Sequence, residues 1–133
     1  MDFEKIIPGI RKEIIKRVKE EDSAERYGSG LVPVLSTPAL VAFMEQCAHE
    51  SVGLLLPEGF VTVGTEINIK HLKATPLGEQ IRCTAELYAC DGRKLLFNLK
   101  AWDTAGEIGI ASHTRFIVNK DKFLSNISLK KKE

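Results

Sequence analysis

The chain has 133 residues, which allows one domain with one core and leaves no room for two. Hydrophobic residues at 44% and charged residues at 28% are the balance of a soluble globular protein, and a net charge of +1 gives no electrostatic case for binding nucleic acid or an anionic membrane. No apolar run approaches the roughly 18 residues needed to cross a bilayer.

The start, MDFEKIIPGI, lacks a basic segment leading into an apolar one, so it does not read as a signal peptide. Residues 12–20, KEIIKRVKE, fit an amphipathic strand or a helix, and periodicity does not choose between them. DSAERYGSGLVPVLS is rich in turn formers and reads as a loop. Thr37-Pro38 then opens a long central helix, with Thr37 suited to the N-cap and Pro38 to the first helical position. That helix runs to about Leu55, where Pro57 and Gly59 stop it. Its buried stripe is predicted as Leu40, Val41, Met44, Cys47, Ala48, Val52 and Leu55, with Glu45 on the edge.

After the helix the period changes to two. In FVTVGTEINIKHLK, residues 60–73, one face carries Val61, Val63, Ile67, Ile69 and His71. QIRCTAELYAC repeats the pattern with Ile81, Cys83, Ala85, Leu87 and Ala89. Asp91-Gly92 signals a tight hairpin. Leu95, Phe97, Leu99 and Ala101 form the next inward face, Thr104-Ala105-Gly106 turns the chain, and residues 107–118 supply the last strand. The residues after 123 read as a flexible, solvated tail. One antiparallel sheet wrapped round one long apolar helix buries both, which is the α+β hotdog arrangement.

Cys47, Cys83 and Cys90 are odd in number and show no CxxC spacing, which argues against a disulfide framework and favours a reducing, cytoplasmic setting. Glu45 and His49 lie one helical turn apart, enough for a pair but weak support for a metal. Each chemical candidate has a structural role that would account for it alone. Glu45 could pair with His49, Thr37 could simply cap, Gly64 could allow a bulge, and Arg115 could join an inter-strand ion pair. Together they point further. A sheet face bearing His71 would pack on the helix bearing Glu45, with Thr37 at the helix N-terminus. A carboxylate and an imidazole are the usual parts for activating water or protonating a leaving group.

Thr37, Glu45 eight residues later, and Gly64-Thr65 followed by His71 and ATPLG resemble the fluoroacetyl-CoA thioesterase group of hotdog proteins. AEL, DGRKL, and EIG followed by SHTR continue the likeness, over roughly residues 10–123. The resemblance implies catalytic roles for Thr37, Glu45 and His71, and substrate binding by Gly64 and Arg115. It implies an acyl-CoA thioesterase with no metal or cofactor, dimeric, its active sites at the subunit interface. Glu45 would activate water or attack the thioester itself. Lys70, Lys73, Arg93 and Lys94 are candidates to meet the phosphates of CoA. The founding activity of the group uses phenylalanines in the segment before the threonine, where this chain has ERYGSGLVPVL. Short- to medium-chain acyl-CoA esters are therefore expected as substrates, with little preference for a fluorinated acetyl group. The rival readings are a hotdog that binds acyl-CoA without hydrolysing it, and a 3-hydroxyacyl thioester dehydratase. The dehydratases resemble this chain less, since they carry a histidine ahead of the central helix and none precedes His49 here.

Overall fold

Ser36 ends the loop before the central helix, and its hydroxyl accepts from the Ala39 N–H at 3.1 Å. That places the cap one residue earlier than the sequence suggested: Thr37 is already helical, and its hydroxyl is released for other work. The computed structural model describes residues 3–131, except the side chain of Lys131. Met1, Asp2, Lys132 and Glu133, the extremes of the leader and tail readings, lie outside the described residues.

In chain order the elements are β1 (Arg11–Arg17), α1 (Ala24–Tyr27), α2 (Thr37–Gly53), β2 (Phe60–His71), β3 (Gln80–Asp91), β4 (Lys94–Asp103), β5 (Gly106–Asn119) and α3 (Lys120–Lys131). Of residues 12–20, those up to Arg17 thus resolve as strand, with Ile14 opposite Cys83, and Glu20 already begins a 3-10 turn. The strands form one antiparallel sheet in the order β1-β3-β4-β5-β2, so β1 and β2 are its edges.

α2 lies across the concave face. It buries Ala39, Leu40, Phe43, Met44, Cys47, Ala48 and Val52, against Ile81, Cys83, Leu87, Phe97, Leu99 and others from the sheet. Each large apolar side chain fully buried in this way contributes about 2 kcal/mol, so packing holds the helix more than propensity does. Val41 and Leu55 are only partly buried, and Phe43 takes a place in the stripe that the sequence reading left to Val41. Gly109 on β5 lets the helix come close, since a Cβ there would meet Leu40 Cδ2 at 3.0 Å and Met44 Cε at 3.3 Å.

Two bulges change which side chains face inward. The pairing of β2 with β5 slips between Gly64 and Glu66, leaving Thr65 as the extra residue. Before the slip the inward residues are Phe60, Thr62 and Gly64, not Val61 and Val63; after it they are Ile67, Ile69 and His71. A second slip between Leu87 and Ala89 sends Cys90, rather than Ala89, to the core. The β3–β4 turn is Gly92-Arg93, bracketed by the pair Asp91 and Lys94, with Gly92 at φ 61° as its first residue requires.

The stretch between Asp22 and Ser36 is tied at its base. Ser23 bridges Leu35, Val34 bridges Pro76, and the Ser36 N–H donates to the Asp22 carbonyl at 2.9 Å. Its tip is open, with Leu31 94% exposed and Tyr27 and Val32 about half exposed. We call this segment before Thr37 the lid; Leu35 at its end is buried in the core. After β5 the chain continues as α3, where the Asn119 side chain accepts from the Lys122 N–H at 3.0 Å. A capped helix, rather than an extended tail, therefore follows the sheet. None of its side chains from Lys120 to Lys130 is buried.

Candidate active site

The first group of candidates lies where the end of β2 meets the start of α2. The Thr37 hydroxyl is 2.8 Å from His71 Nδ1. Parity after the Thr65 bulge turns the His71 ring toward the helix, which is what makes this contact possible. Its other nitrogen, Nε2, is buried and has no hydrogen-bond partner among the described residues. Burial lowers the His71 pKa, and the Lys73 backbone opposes that in part. A cleft of about 320 Å³ opens beside the pair, lined by Gly30, Val32 and Val34 from the lid and by Thr37, His71 and Lys73.

The second group surrounds Gly64. A Cβ at that glycine would sit 2.8 Å from Glu45 Oε2, 3.1 Å from His113 Cε1 and 3.2 Å from Arg115 Nη1. Three polar side chains therefore converge on the bare Cα of Gly64, closer than a side chain there would allow. Arg115 is 7% exposed and firmly held: Nε donates to Thr62 Oγ1 at 2.9 Å and Nη2 to the Thr62 carbonyl at 3.0 Å. Its Nη1 is 3.2 Å from His113 Nε2, and His113 Nδ1 is 2.8 Å from the Glu66 carbonyl. The inter-strand ion pair weighed for Arg115 is thus replaced by neutral partners. Burial lowers the Arg115 pKa, while the Glu45 charge opposes this.

Among the described residues, Glu45 has no hydrogen bond or ion pair, and the pairing with His49 does not occur. The neighbouring Gln46 instead donates to Glu50 at 2.8 Å. A half-buried carboxylate beside a buried guanidinium, with no partner to occupy it, is free to act on something else.

The two groups are not adjacent in one chain. Thr37 and Glu45 are eight residues apart on one helix, about 12 Å at 1.5 Å per residue. Gly64 and His71 are likewise separated along β2. The sequence reading named five site residues, and the fold sorts them into Thr37 with His71 and Glu45 with Gly64 and Arg115. It also brings in Thr62 and His113, which were assigned no role. The signal for His113 was its spacing of two from Arg115, which puts both on one face of β5. A larger groove, about 530 Å³, lies on the opposite face of the sheet among Asn68, Lys70, Asn98, Lys100 and Ser112; it takes in Lys70, one of the residues considered for the CoA phosphates, but none of the five site residues.

The family model for the fluoroacetyl-CoA-specific thioesterases matches residues 18–121. The chain belongs to this family. The fluoroacetyl-CoA thioesterase of Streptantibioticus cattleyicolor is 33% identical over 97 residues, covering 73% of this chain and 70% of that protein. A mutant of the fluoroacetyl-CoA-specific thioesterase FlK, solved with fluoroacetate and CoA, is similar at TM-score 0.82 and 29% identity, over 89% of this chain and 99% of that one. A hot-dog-like protein from Thermanaerovibrio acidaminovorans is similar at TM-score 0.89 and 27% identity, over 98% and 97% of the two chains. Membership makes this chain a hotdog-fold thioester hydrolase, and the chemistry of the family is hydrolysis of acyl-CoA thioesters.

Proposed function

We propose that this chain is a cytoplasmic, homodimeric acyl-CoA thioesterase that converts short- to medium-chain acyl-CoA to the free acid and CoA without a metal or cofactor. The observation that carries the reading is the unpartnered Glu45 carboxylate aimed at the space above Gly64, beside a fixed guanidinium.

β2 is an edge strand of 12 residues, and an open edge of that length invites pairing. Antiparallel pairing of two β2 edges about a two-fold axis between Ile67 and Asn68 would set His71 opposite the partner's Gly64. The Thr37–His71 pair of one protomer would then face the Glu45 group of the other. Each dimer would hold two complete sites, and neither chain would hold one alone.

In such a site Glu45 takes a proton from water as the water oxygen attacks the thioester carbonyl carbon, or attacks that carbon itself to give an acyl-glutamyl anhydride that water then hydrolyses to the free acid and Glu45. On either route the carbon–sulfur bond breaks, and the sulfur leaves as CoA thiolate to be protonated. Thr37 O–H donating to His71 Nδ1 leaves the ring proton on Nε2, the nitrogen with no partner, where it can bond the thioester oxygen or protonate the sulfur. N–H groups at the Gly64 bulge and the Arg115 guanidinium place the acyl group and its developing negative charge. The cleft under the lid admits the rest of the thioester, with Lys73 at its rim.

The deciding experiment is a panel of acyl-CoA esters assayed for free CoA thiol, with wild type and Glu45→Gln side by side. Glu45→Gln is expected to fold and to lose at least about 100-fold in turnover, the range for a positioned acid–base group. Hydrolysis by the folded variant at near wild-type rates would return Glu45 to a structural role. Tight acyl-CoA binding by wild type with no thiol release would favour a non-catalytic binder instead.

A further inference from the structure

His113 is 3% exposed, and both of its ring nitrogens are engaged. A carbonyl oxygen can only accept, so Nδ1 must carry the proton donated to Glu66, and Nε2 is left with a lone pair. Arg115 Nη1, which can only donate, meets that lone pair. The ring is thus fixed in one tautomer from both ends. Burial lowers its pKa; the Glu66 carbonyl and Glu45 oppose this, and Arg115 adds to it.

Arg115 has five N–H groups. Nε and one Nη2 hydrogen go to Thr62, and one Nη1 hydrogen goes to His113. The second hydrogen on Nη1 has no partner among the described residues, and Nη1 lies beside Gly64, where Glu45 also approaches. A space-filling role alone would be served by an apolar ring, without the cost of burying an imidazole. The histidine is needed because Thr62 holds the guanidinium along one side only, and a second support must be an acceptor.

The geometry points to His113 as a positioning residue that, by accepting from Nη1, turns the second N–H of that nitrogen toward Gly64, where the acyl group meets Glu45. This rests on the reading of Glu45, Gly64 and Arg115 as site residues.

The test is a double-mutant cycle on kcat/KM with His113→Phe, His113→Gln and Arg115→Ala. His113→Phe keeps the volume and removes the acceptor, so a loss of roughly 10- to 100-fold is expected, the range for a hydrogen bond to a charged group. His113→Gln offers its amide oxygen near the place of Nε2 and should recover most of that loss. In the Arg115→Ala background, His113→Phe should change kcat/KM less than about twofold, because the group it positions is gone. An equal loss in both backgrounds, or no recovery with glutamine in a folded protein, would overturn the assignment. If the phenylalanine variant does not fold, His113→Asn replaces it, since it keeps the donor to Glu66 but falls short of Arg115.

Two readouts are independent of activity. Nitrogen-15 shifts of the imidazole at pH 7.5 should show Nδ1 protonated and Nε2 bare; the opposite tautomer overturns the assignment. A crystal structure of the phenylalanine variant should show the guanidinium turned from its wild-type orientation, and an unmoved guanidinium also overturns it. If wild type releases no thiol from any acyl-CoA, the proposed function fails, while these two measurements still decide the role of His113.

Discussion

At Gly64 a single methyl group would occupy the point where Glu45, His113 and Arg115 meet. The backbone there is not in the left-handed region, so alanine is conformationally allowed. The nearest clash is with the far end of the Glu45 side chain, which can swing aside, whereas His113 and Arg115 are held by hydrogen bonds. Gly64→Ala should therefore still fold, at a cost of about 1–3 kcal/mol from the tight contacts with His113 and Arg115, and lose at least about tenfold in kcat, as a displaced catalytic group would. Thermal melts beside thiol-release kinetics check this; a folded variant with unchanged kcat would show that the gap does not serve the reaction. The other residue-scale expectation concerns His71. Burial favours its neutral ring, so its pKa lies below the ordinary value of about 6.5. If the neutral ring is the working form, kcat/KM should be flat near pH 7 and fall only as pH drops through that lowered value. The residual activity of His71→Ala should lack this acid limb. An acid limb centred above 6.5, or one that persists in His71→Ala, would assign the titration to another group.

Element boundaries show why parts of this fold were legible and others were not. Strict alternation marks β4, and its inward residues Leu95, Phe97, Leu99 and Ala101 are all buried as the sequence suggested. In β2 the alternation Val61, Val63 looks continuous with Ile67, Ile69, yet the extra residue Thr65 separates two opposite parities. Gly64 did mark a possible bulge, and the slip falls directly after it, but the alternation alone did not show that the parity of the earlier residues was reversed. Ser36 and Thr37 were similarly ambiguous: both are good caps, and only the structure shows the serine capping while the threonine meets His71. The spacing of Thr37 and Glu45 along one helix was legible, but the grouping of Glu45 with Gly64 and Arg115 was not, because it depends on the register of β2 on β5 and on the bulge that shifts it. His113 escaped because a lone histidine at alternating spacing looks like core. The lid is the element with most bearing on specificity. Its exposed tip offers Tyr27, Leu31 and Val32, and the walls it gives the cleft are small or aliphatic, with Ala24, Ser29, Gly30, Val32, Val34 and Leu35 among them. Such a lid can exclude water by closing, but it presents no aromatic ring to the cleft wall. Fluoroacetyl-CoA and acetyl-CoA should therefore differ by well under about 1000-fold in kcat/KM, since one substituent in an apolar pocket rarely supplies more. Somewhat longer acyl chains should also be accepted. Competition assays across the panel measure both; a larger fluoroacetyl preference would mean that discrimination arises outside the lid.

At the scale of the whole molecule, the proposed dimer would resolve together the separation of the two groups and the open β2 edge. Eight residues of helix keep Glu45 about 12 Å from Thr37 within a chain, and no side-chain rotation closes that gap. A two-fold axis reverses the direction of β2, so it exchanges the ends that the fold keeps apart. Light scattering at micromolar concentration should thus give about twice the chain mass of 14.8 kDa. Mass alone would not show that the sites are shared, but complementation would. In a heterodimer of Glu45→Gln with His71→Ala, one shared site carries both substitutions, and the other combines the intact Glu45 of one chain with the intact His71 of the other. Random exchange makes half of all dimers mixed, each with one of its two sites intact, so about a quarter of wild-type activity should return when two inactive preparations are mixed. If each site lay within a single chain, every chain in the mixture would still carry a lesion. Activity would then stay at the level of the separate variants, however long the dimers were allowed to exchange.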